Sequence, residues 1–265
     1  PVVVGTTNTH DGEAALTFDA RNVTSNSAEM RVCESDGPTD GCDGHGTERV
    51  GYVVVDAAKA DEVSGLDAGT VEVGAELDTT RRTVSFEDSF SSQGVVLANV
   101  QTTAGAQPVE TRVTDAGTSD FTVGICHQNS EDSCDPTHAN ETVGWVAIDP
   151  SVEVFDQQTA VGTTGTSGSD WETVSYDSFA STPVVAVSTL TENGGEEVQI
   201  DEGRNVTTDS AEIRFCEIED ASDDCDTHTT ETVGWAATES GTNLTAKVSA
   251  GLWTNITFDN SYTDP

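Results

Sequence analysis

The sequence predicts an all-β fold, built as tandem antiparallel β-sandwich modules of about six strands and about 85–90 residues each. Two observations support this prediction. A segment with a pair of cysteines occurs three times at a nearly constant interval, which is the signature of a repeat protein. Apolar and polar residues also alternate on both sides of each cysteine pair, and a period of two is typical of half-buried strands.

The repeated segment contains two cysteines, then a histidine, a glutamate and a glycine followed by an aromatic residue. Its first cysteine recurs after 93 and then after 90 residues. A chain of equal modules has no unique region in which a catalytic centre would be expected. The repetition therefore favours a structural or adhesive protein over an enzyme. The three copies read Cys33…Cys42…His45…Glu48…Gly51-Tyr52, Cys126…Cys134…His138…Glu141…Gly144-Trp145 and Cys216…Cys225…His228…Glu231…Gly234-Trp235.

The alternating segments decide between order and disorder. The chain has few large aliphatic residues and many charges, a composition that would also permit disorder. Regular alternation of valine, isoleucine and aromatic residues instead predicts strands, and no helical pattern or run of 18 apolar residues is found. The alternating segments are 28–32, 121–125 and 211–215 before the first cysteine, and 50–54, 143–147 and 233–237 after the second.

The repeat divides the chain into four segments. Residues 1–58 are a module that lacks its first strands, and 59–150 and 151–238 are near-complete modules. Residues 239–265 are the opening strands of a further module. Since Pro1 and Pro265 occupy positions inside the repeat, we expect the repeats to continue on both sides. The junctions are short, so we expect the modules to form a semi-rigid rod.

The charge predicts adaptation to high salt. The net charge is −38, from 48 acidic and 10 basic residues, and only Lys59 and Lys247 are lysines. Such a charge repels nucleic acids and anionic membrane surfaces, so we expect neither as a partner and no membrane insertion. Molar salt shortens the Debye length to about 3 Å and screens the self-repulsion. A haloarchaeal or haloviral protein is therefore predicted, with an acidic secreted protein of a mesophile as the alternative.

The six cysteines form three local pairs, which predicts disulfide bonds and an extracellular location. Closing such short loops would stabilise each module by about 2.5 kcal/mol, because it lowers the entropy of the unfolded chain. The expected bonds are Cys33–Cys42, Cys126–Cys134 and Cys216–Cys225.

Five Asn-x-Ser/Thr sequons also fit an exported protein. Some would arise by chance in a chain rich in threonine and asparagine, so we expect about half of them to be glycosylated. They lie at Asn22, Asn140, Asn205, Asn243 and Asn255.

The recurring Cys-Asp-x-His-x-x-Glu pattern raises a cation site as an alternative. Asp36, Asp40 and Asp43 could supply oxygen ligands for calcium. Against this, a bridged cysteine is not a ligand, and a histidine and a glutamate three residues apart on a strand point to opposite faces. We therefore expect a solvated loop edge, with no bound metal or cofactor.

The order of framework residues resembles the H-type lectin domain. The matching segments of the second module are Val84-Ser85-Phe86…Phe90…Gly94-Val95-Val96, Arg112-Val113-Thr114…Phe121-Thr122-Val123 and Val143-Gly144-Trp145-Val146-Ala147. Those of the third are Val174-Ser175-Tyr176…Phe179…Pro183-Val184-Val185, Asn205-Val206-Thr207 and Val233-Gly234-Trp235-Ala236-Ala237. The resemblance implies a six-stranded antiparallel sandwich, often trimeric, that binds glycans at contacts between neighbouring domains. The cysteine pairs and acidic loops depart from that family, and no sugar-binding residue can be matched.

Candidate ligand-binding and catalytic residues are few. Tyr52, Trp145 and Trp235 lie in alternating strands and are predicted to be core residues. Trp171 and Trp253 precede strands and are candidates for stacking on a sugar. The histidines form no Ser-His-Asp pattern, and no carboxylate pair can be singled out in so acidic a chain, so we expect no catalytic site.

Together these features predict a non-enzymatic extracellular repeat protein on a cell or virion surface in a high-salt environment. It would form a surface filament, sheath or adhesion stalk and self-associate into filaments or trimers. The main alternative is a glycan-binding array, such as a halovirus tail fibre that recognises host surface sugars. A further alternative is a string of domains attached to a distant enzyme.

Lowering the salt to about 0.1 M should unfold or expand the chain, because repulsion among the acidic side chains is then poorly screened. Circular dichroism at molar and at low salt measures this change. An unchanged spectrum would contradict the high-salt adaptation.

Overall fold

The structure is a computed structural model. It describes the chain except residues 13, 35–41, 43–45, 75–80, 106–108, 127–137, 152–157, 195–197, 219–224, 226, 240–244, 250–251, 259 and 263–265. Within strands, the side chains of residues 198, 199, 218, 227 and 245–249 also lie outside the description. The strands are β1 (Val2–Thr7), β2 (Leu16–Arg21), β3 (Ser27–Glu34), β4 (Thr47–Val55), β5 (Leu66–Val73), β6 (Arg82–Ser85), β7 (Val95–Val100), β8 (Glu110–Thr114), β9 (Asp120–Cys126), β10 (Glu141–Ile148), β11 (Thr159–Gly168), β12 (Glu172–Ser175), β13 (Val184–Thr189), β14 (Val198–Arg204), β15 (Ser210–Ile218), β16 (Thr227–Thr238), β17 (Thr245–Ser249) and β18 (Thr254–Thr257).

Each module is a sandwich of two three-stranded antiparallel sheets. Module 2 comprises β5 to β10, with strand orders β5-β10-β7 and β6-β9-β8. Module 3 comprises β11 to β16, with the corresponding orders β11-β16-β13 and β12-β15-β14. Phe121 and Trp145 lie in the core of module 2, and Phe215 and Trp235 lie in that of module 3. The prediction of all-β, six-stranded sandwich modules is confirmed.

Module 1 is completed by strands from the other end of the sequence. Strand β17 pairs with β4, with Thr245 opposite Gly51, and β18 pairs with β3, with Ile256 opposite Ala28. The resulting sheets, β1-β4-β17 and β18-β3-β2, have the same strand order as those of modules 2 and 3. Residues 239–265, assigned from the sequence to a further module, therefore supply the two strands that residues 1–58 lack. The reason is that β3 and β4 offer free edges to which these strands are complementary.

The three modules pack around a common apolar core instead of forming a rod. This shared core takes residues from one sheet of every module, including Val2 and Val4, Leu97 and Ile148, and Ala186. Because β1, β7 and β13 are apolar on both faces, each contributes to its own module and to the shared core. Packing the modules together buries this second apolar face, whereas in a rod it would be exposed to solvent. The expectation of a rod is therefore wrong.

The junction between modules 1 and 2 contains a helical turn that the sequence did not predict, α1 (Ala57–Ala60). Its Ala60 is buried against the shared core. A segment of four residues is too short to show helical periodicity in the sequence. The described part of the chain has no helix with the length and apolar character needed to span a bilayer.

The aromatic residue of each repeat is in a core, as predicted. Tyr52, Trp145 and Trp235 are 1%, 5% and 7% exposed. The indoles of Trp145 and Trp235 cover Gly69 and Gly162 on the adjacent strand, where a Cβ would lie 2.8 and 2.7 Å from a ring carbon. Glycine at these two positions therefore makes room for the ring.

Candidate functional site: the contacts between modules

Strands β1, β7 and β13 each lie at an edge of their sheet, where backbone groups need partners from outside the sheet. Module 2 supplies these partners to module 1. The side-chain amide of Gln101 accepts a hydrogen bond from Val3 N at 3.0 Å and donates one to Val3 O at 2.6 Å. Asn99 Oδ1 accepts a further bond from Gly5 N at 2.8 Å. The amides thus act as an additional short strand.

Module 1 does the same for module 3. Asn8 directly follows β1, as Gln101 directly follows β7. It accepts from Val185 N at 3.1 Å and donates to Val185 O at 2.7 Å. The hydroxyl of Thr6 accepts from Val187 N at 3.0 Å and donates to Val187 O at 3.3 Å. The relation is cyclic, because module 2 contacts module 1 as module 1 contacts module 3.

The third interface, from module 3 to module 2, replaces the amide by Leu190. This side chain is fully buried and belongs to the apolar core of module 2. The same position therefore makes polar contacts at two interfaces and an apolar contact at the third.

The recurring glutamate of the repeat is a buried structural group. Glu48, Glu141 and Glu231 are 0%, 1% and 0% exposed. Each accepts a hydrogen bond from a threonine hydroxyl just after the edge strand, and from the backbone N–H two residues further on. The threonines are Thr9, Thr102 and Thr191, and the N–H groups belong to Asp11, Ala104 and Asn193. This carboxylate fixes the loop that carries the interface side chains, so the expectation of a solvated loop edge is wrong for the glutamate.

The recurring histidine lies beside this glutamate instead of on the opposite face. His138 Nδ1 is 3.8 Å from Glu141 Oε1, and His228 Nδ1 is 3.7 Å from Glu231 Oε1. His138 precedes β10, and the register of β16 against β11 is irregular between Thr227 and Glu231, so strict alternation does not hold there. The Nε2 atoms of His138 and His228 lie directly over Gly105 and Gly194, at positions that a Cβ on either glycine would overlap. His45 lies outside the described residues.

A second set of interface side chains lies two residues after Asn8, Gln101 and Leu190. They are His10, Thr103 and Glu192. The side chain of His10 extends from module 1 into module 3. Its Nδ1 is 3.4 Å from Glu202 Oε1, and its ring centroid is 5.5 Å from that of Trp171 in an edge-to-face contact. Glu202 also pairs with Arg214 at 2.7 Å.

At the next interface, Glu192 of module 3 takes the equivalent position in module 2. It pairs with Arg81 at 2.6 Å and with the fully buried Arg112 at 3.6 Å. The same position thus meets ionisable partners across both interfaces, as an imidazole beside Glu202 at one and as a carboxylate beside two arginines at the other.

At the remaining interface, between modules 2 and 1, the equivalent residue is Thr103. Its hydroxyl is buried without a hydrogen-bond partner among the described residues. Here a cleft of about 350 Å³ opens between Arg21 and Asn22 of module 1 and residues 101–104 of module 2. The smaller threonine leaves room that a histidine or a glutamate fills elsewhere.

The carboxylates of these interfaces have shifted pKa values. Burial raises the pKa of Asp201 to about 6, although hydrogen bonds from Thr189 and the charge of Arg112 act in the opposite direction. Burial, together with the charge of Asp201, also raises the pKa of Glu110 well above its usual value. Burial by itself would raise the pKa of Glu202, but hydrogen bonding by His10 and the charge of Arg214 outweigh it, and the pKa is lowered.

The predicted cysteine pairs are partly described. Cys33 is bonded to Cys42, and Cys216 is bonded to Cys225. Cys134 lies outside the described residues, so the Cys126–Cys134 bond stays a prediction. Asp36, Asp40 and Asp43 also lie outside them. Glu202 lies close to both Cys216 and Cys225, but bridged sulfurs are not metal ligands, so this group is not a metal site.

The sequons occupy exposed positions where they are described. Asn22 and Asn205 adopt left-handed backbone conformations, with φ of 49° and 48°, at the turn that follows the fourth strand of a module. Each donates its amide to the carboxylate of Glu29 or Glu212 at 2.9 Å. Asn140 and Asn255 are also exposed, and Asn243 lies outside the described residues. Glycan occupancy stays a prediction.

The two candidate sugar-stacking residues are in contact with arginines. The guanidinium groups of Arg21 and Arg31 lie 3.9 and 4.5 Å from the ring of Trp253. Those of Arg204 and Arg214 lie 4.1 and 4.3 Å from that of Trp171. These are cation–π contacts, so a sugar would compete with arginine for the rings.

The interface side chains were missed by the sequence analysis. Asn8 and Gln101 look like ordinary polar residues at strand ends, and no local pattern indicates that they cross to another module. A usable signal was the run of apolar residues on both faces of β1, β7 and β13, which is typical of strands that are covered on both sides.

Comparison with known proteins indicates one similarity. The chain is 28% identical over 228 residues to halomucin of Haloquadratum walsbyi (strain DSM 16790 / HBSQ001). The match covers 85% of this chain and 2% of halomucin. No family model and no solved structure matches the chain. The similarity therefore relates this chain to a small part of a much longer protein.

Replacing Gln101 by alanine should destabilise the protein by about 2 kcal/mol or more, because Val3 N–H and C=O would then be buried without partners. Denaturant unfolding in molar salt measures the change. The exposed Gln158, changed to alanine in the same way, is the control and should have little effect. Equal effects of the two substitutions would contradict the role of Gln101.

Changing Asp201 to asparagine should flatten the dependence of stability on pH between about pH 4 and about pH 7. A carboxyl group with a raised pKa binds its proton more tightly in the folded state. Asp201 therefore stabilises the fold below its unfolded pKa of 3.8, and this contribution is lost as the pH rises through about 6. Denaturant unfolding across this range measures the slope, with the exposed Asp177→Asn as the control for the loss of one charge. A slope unchanged by Asp201→Asn would overturn the prediction.

Proposed function

We propose that this chain is a non-enzymatic structural component of the extracellular surface of a halophile, of the filament, sheath or adhesion-stalk type. The observation that carries the proposal is the locking of three modules into one unit. They share an apolar core, and side chains of one module close the edge strands of the next. Such a unit resists local opening, which suits a load-bearing surface protein.

The similarity to halomucin supports the extracellular part of the proposal. Its name denotes a mucin of a halophile, from which we infer a location outside the cell. The disulfide bonds of modules 1 and 3 fit an oxidising location outside the cell. The charge of −38 fits a protein that stays folded and soluble in molar salt.

The roles of the buried polar residues support a structure without catalysis. Glu48, Glu141 and Glu231 hold loops. Glu202, through His10 and Leu16 N, and Glu192, through Arg81, connect one module with another. In an enzyme, titratable side chains with such burial would be expected to line an accessible cleft. Here they form hydrogen bonds and ion pairs that hold loops and modules in place.

Immunogold labelling of the source organism or virus at its native salt concentration tests the proposal. Antibodies against this chain should label extracellular filaments, a sheath or the surface layer. Labelling confined to the cell interior would overturn the proposal, and so would electron microscopy that shows only isolated globular particles at the surface.

A glycan-binding array is the second candidate, favoured by the cleft between modules 1 and 2. Resemblance to H-type lectins implies sugar binding at contacts between neighbouring domains, and this cleft is lined by the guanidinium-bearing Arg21 and the amide-bearing Asn22 of module 1 and by residues 101–104 of module 2. Polar groups of these kinds can form hydrogen bonds with sugar hydroxyls.

A glycan array in molar salt, with the native chain and the Thr103→His variant, tests this candidate. The substitution would place in the cleft the side chain that His10 provides at the neighbouring interface. Binding by the native chain that the variant loses would support the candidate. Absence of binding to any sugar, or binding that the variant retains, would exclude the cleft as a glycan site.

A further inference from the structure

The buried ion pair that holds His10 at the interface of modules 1 and 3 has a counterpart in module 1. Strands β2 and β3 pair as β14 and β15 do, which places Asp19 opposite Arg31. In module 3, Glu202 lies opposite Arg214 at the same positions. The carboxylate and the guanidinium are 2.8 Å apart in module 1 and 2.7 Å apart in module 3. Module 1 therefore repeats the pair that accommodates an imidazole in module 3.

A tryptophan and a second ion pair extend the similarity. In both modules a tryptophan just before a strand packs its ring against the arginine of the buried pair and against a second arginine. The second arginine is 2.6 Å from a glutamate. These residues are Trp253, Arg31, Arg21 and Glu29 in module 1, and Trp171, Arg214, Arg204 and Glu212 in module 3. Each site thus contains two guanidinium groups and two carboxylates, and its charges balance.

In module 3 the ring of His10 is held between the two members of the buried pair. Arg214 Nη2 donates to Nε2 of the imidazole at 3.4 Å, and Glu202 Oε1 lies 3.4 Å from Nδ1. A neutral imidazole suits this pair, because one of its nitrogens accepts a hydrogen bond and the other carries a hydrogen. The edge-to-face contact with Trp171 orients the ring.

In module 1 the atoms equivalent to those around His10 have no hydrogen-bond partner in the described part of the chain. They are Oδ1 of Asp19 and Nη2 of Arg31, on side chains of residues that are 2% and 7% exposed. Thr103 of module 2 takes the position of His10, and its buried hydroxyl also lacks a partner within the described ranges. Buried polar atoms are almost always hydrogen-bonded, so three such atoms at one interface point to a ligand.

The cleft between modules 1 and 2 gives access to this position. Its volume is about 350 Å³, and its lining includes Thr103 and Arg21, whose guanidinium packs on Trp253. Threonine is smaller than histidine, and the side chain of Asp19 is one carbon shorter than that of Glu202. The interface therefore leaves room for a ring of the kind that the chain itself supplies to module 3.

We propose that this cleft binds a neutral imidazole group from outside the chain, of the kind that a histidine side chain carries. Its N–H donates to Asp19 Oδ1, its other nitrogen accepts from Arg31 Nη2, and its edge contacts Trp253. A charged ligand is disfavoured, because the charges of the site already balance and burial of an unpaired charge is costly. The proposal does not rest on the chain's place at a surface, and its ligand differs from the glycan of the second candidate.

The test titrates imidazole into the full chain in molar salt at about pH 8, where imidazole is mainly neutral. NMR spectroscopy follows the indole N–H signals of the four tryptophans. The signal of Trp253 should shift to saturation, with a dissociation constant on the order of millimolar for so small a ligand. That of Trp171 should not shift, because His10 fills its site. A Trp253 signal without a response, or equal responses of the two signals, would overturn the proposal.

A matched pair of variants and a matched ligand test the geometry. Thr103→His supplies the ring from within the chain, so the response of Trp253 should be lost, whereas Thr103→Ala should bind imidazole as the native chain does. Pyrrole is a ring of the same size without an acceptor nitrogen and should bind about tenfold more weakly or less, because Arg31 Nη2 stays without a partner. Equal responses of the two variants, or equal affinities of the two ligands, would contradict the proposal.

The histidine of the neighbouring interface provides the reverse test. In the His10→Ala variant, Glu202 and Arg214 lose their ring, so the Trp171 signal should now respond to imidazole as well. A variant that is folded by circular dichroism and whose Trp171 signal does not respond would overturn the proposal. The measurements on the native chain do not depend on the folding of this variant.

The source of the imidazole is identified with a peptide that contains one histidine and with the same peptide carrying alanine in its place. Displacement of imidazole by the histidine peptide alone would support a partner polypeptide as the source, whereas imidazole binding without displacement would support a free imidazole compound. A Trp253 signal that responds to a neutral monosaccharide and not to imidazole would overturn the proposal in favour of the glycan candidate.

Discussion

The open edge of the third strand in each module is the constraint on which the rest of the structure depends. Strands β1, β7 and β13 are apolar on both faces, so they have to be covered, but their outer backbone groups also need hydrogen bonds. Apolar packing alone would leave these groups unsatisfied, at a cost of about 1–3 kcal/mol each. Asn8 and Gln101 meet the second requirement for β13 and β1, since an amide offers a donor and an acceptor in the geometry of a peptide group, whereas Leu190 packs at the equivalent interface of module 2. The buried glutamates hold the loops that carry these side chains, and the shared core covers the apolar faces of the same strands.

Much of the single module could be predicted from the sequence, because it depends on local patterns. Alternation around the cysteines predicts β3, β9 and β15, and the repeat predicts that all modules are alike. The arrangement of the modules could not be predicted in this way. The docking of β17 and β18 on module 1 depends on edge complementarity between segments about 200 residues apart, which leaves no periodic signal. The position of His228 beside Glu231 depends on an irregular register in β16, which simple alternation excludes.

Acidic residues have two distinct uses in this chain. The exposed ones produce the net charge that requires salt, while a smaller set is buried and paired within the fold. Asp19 pairs with Arg31 at 2.8 Å and Glu202 with Arg214 at 2.7 Å, so two of the ten basic residues lie inside the molecule. A buried pair is hardly screened by salt. These pairs within modules 1 and 3 are therefore kept at the salt concentrations that weaken attraction between surface charges, and the two uses do not conflict.

Joining three similar modules in one chain has a further consequence for the position shared by His10, Thr103 and Glu192. In an assembly of identical subunits, one substitution changes every interface at once, and any side chain has to suit all of them. Here each interface is encoded separately, so one position provides an imidazole, a second an open cleft and a third a carboxylate. The same freedom places leucine at residue 190 where the other interfaces use amides. Joining similar modules in one chain thus gives a nearly symmetric scaffold whose interfaces can differ one at a time.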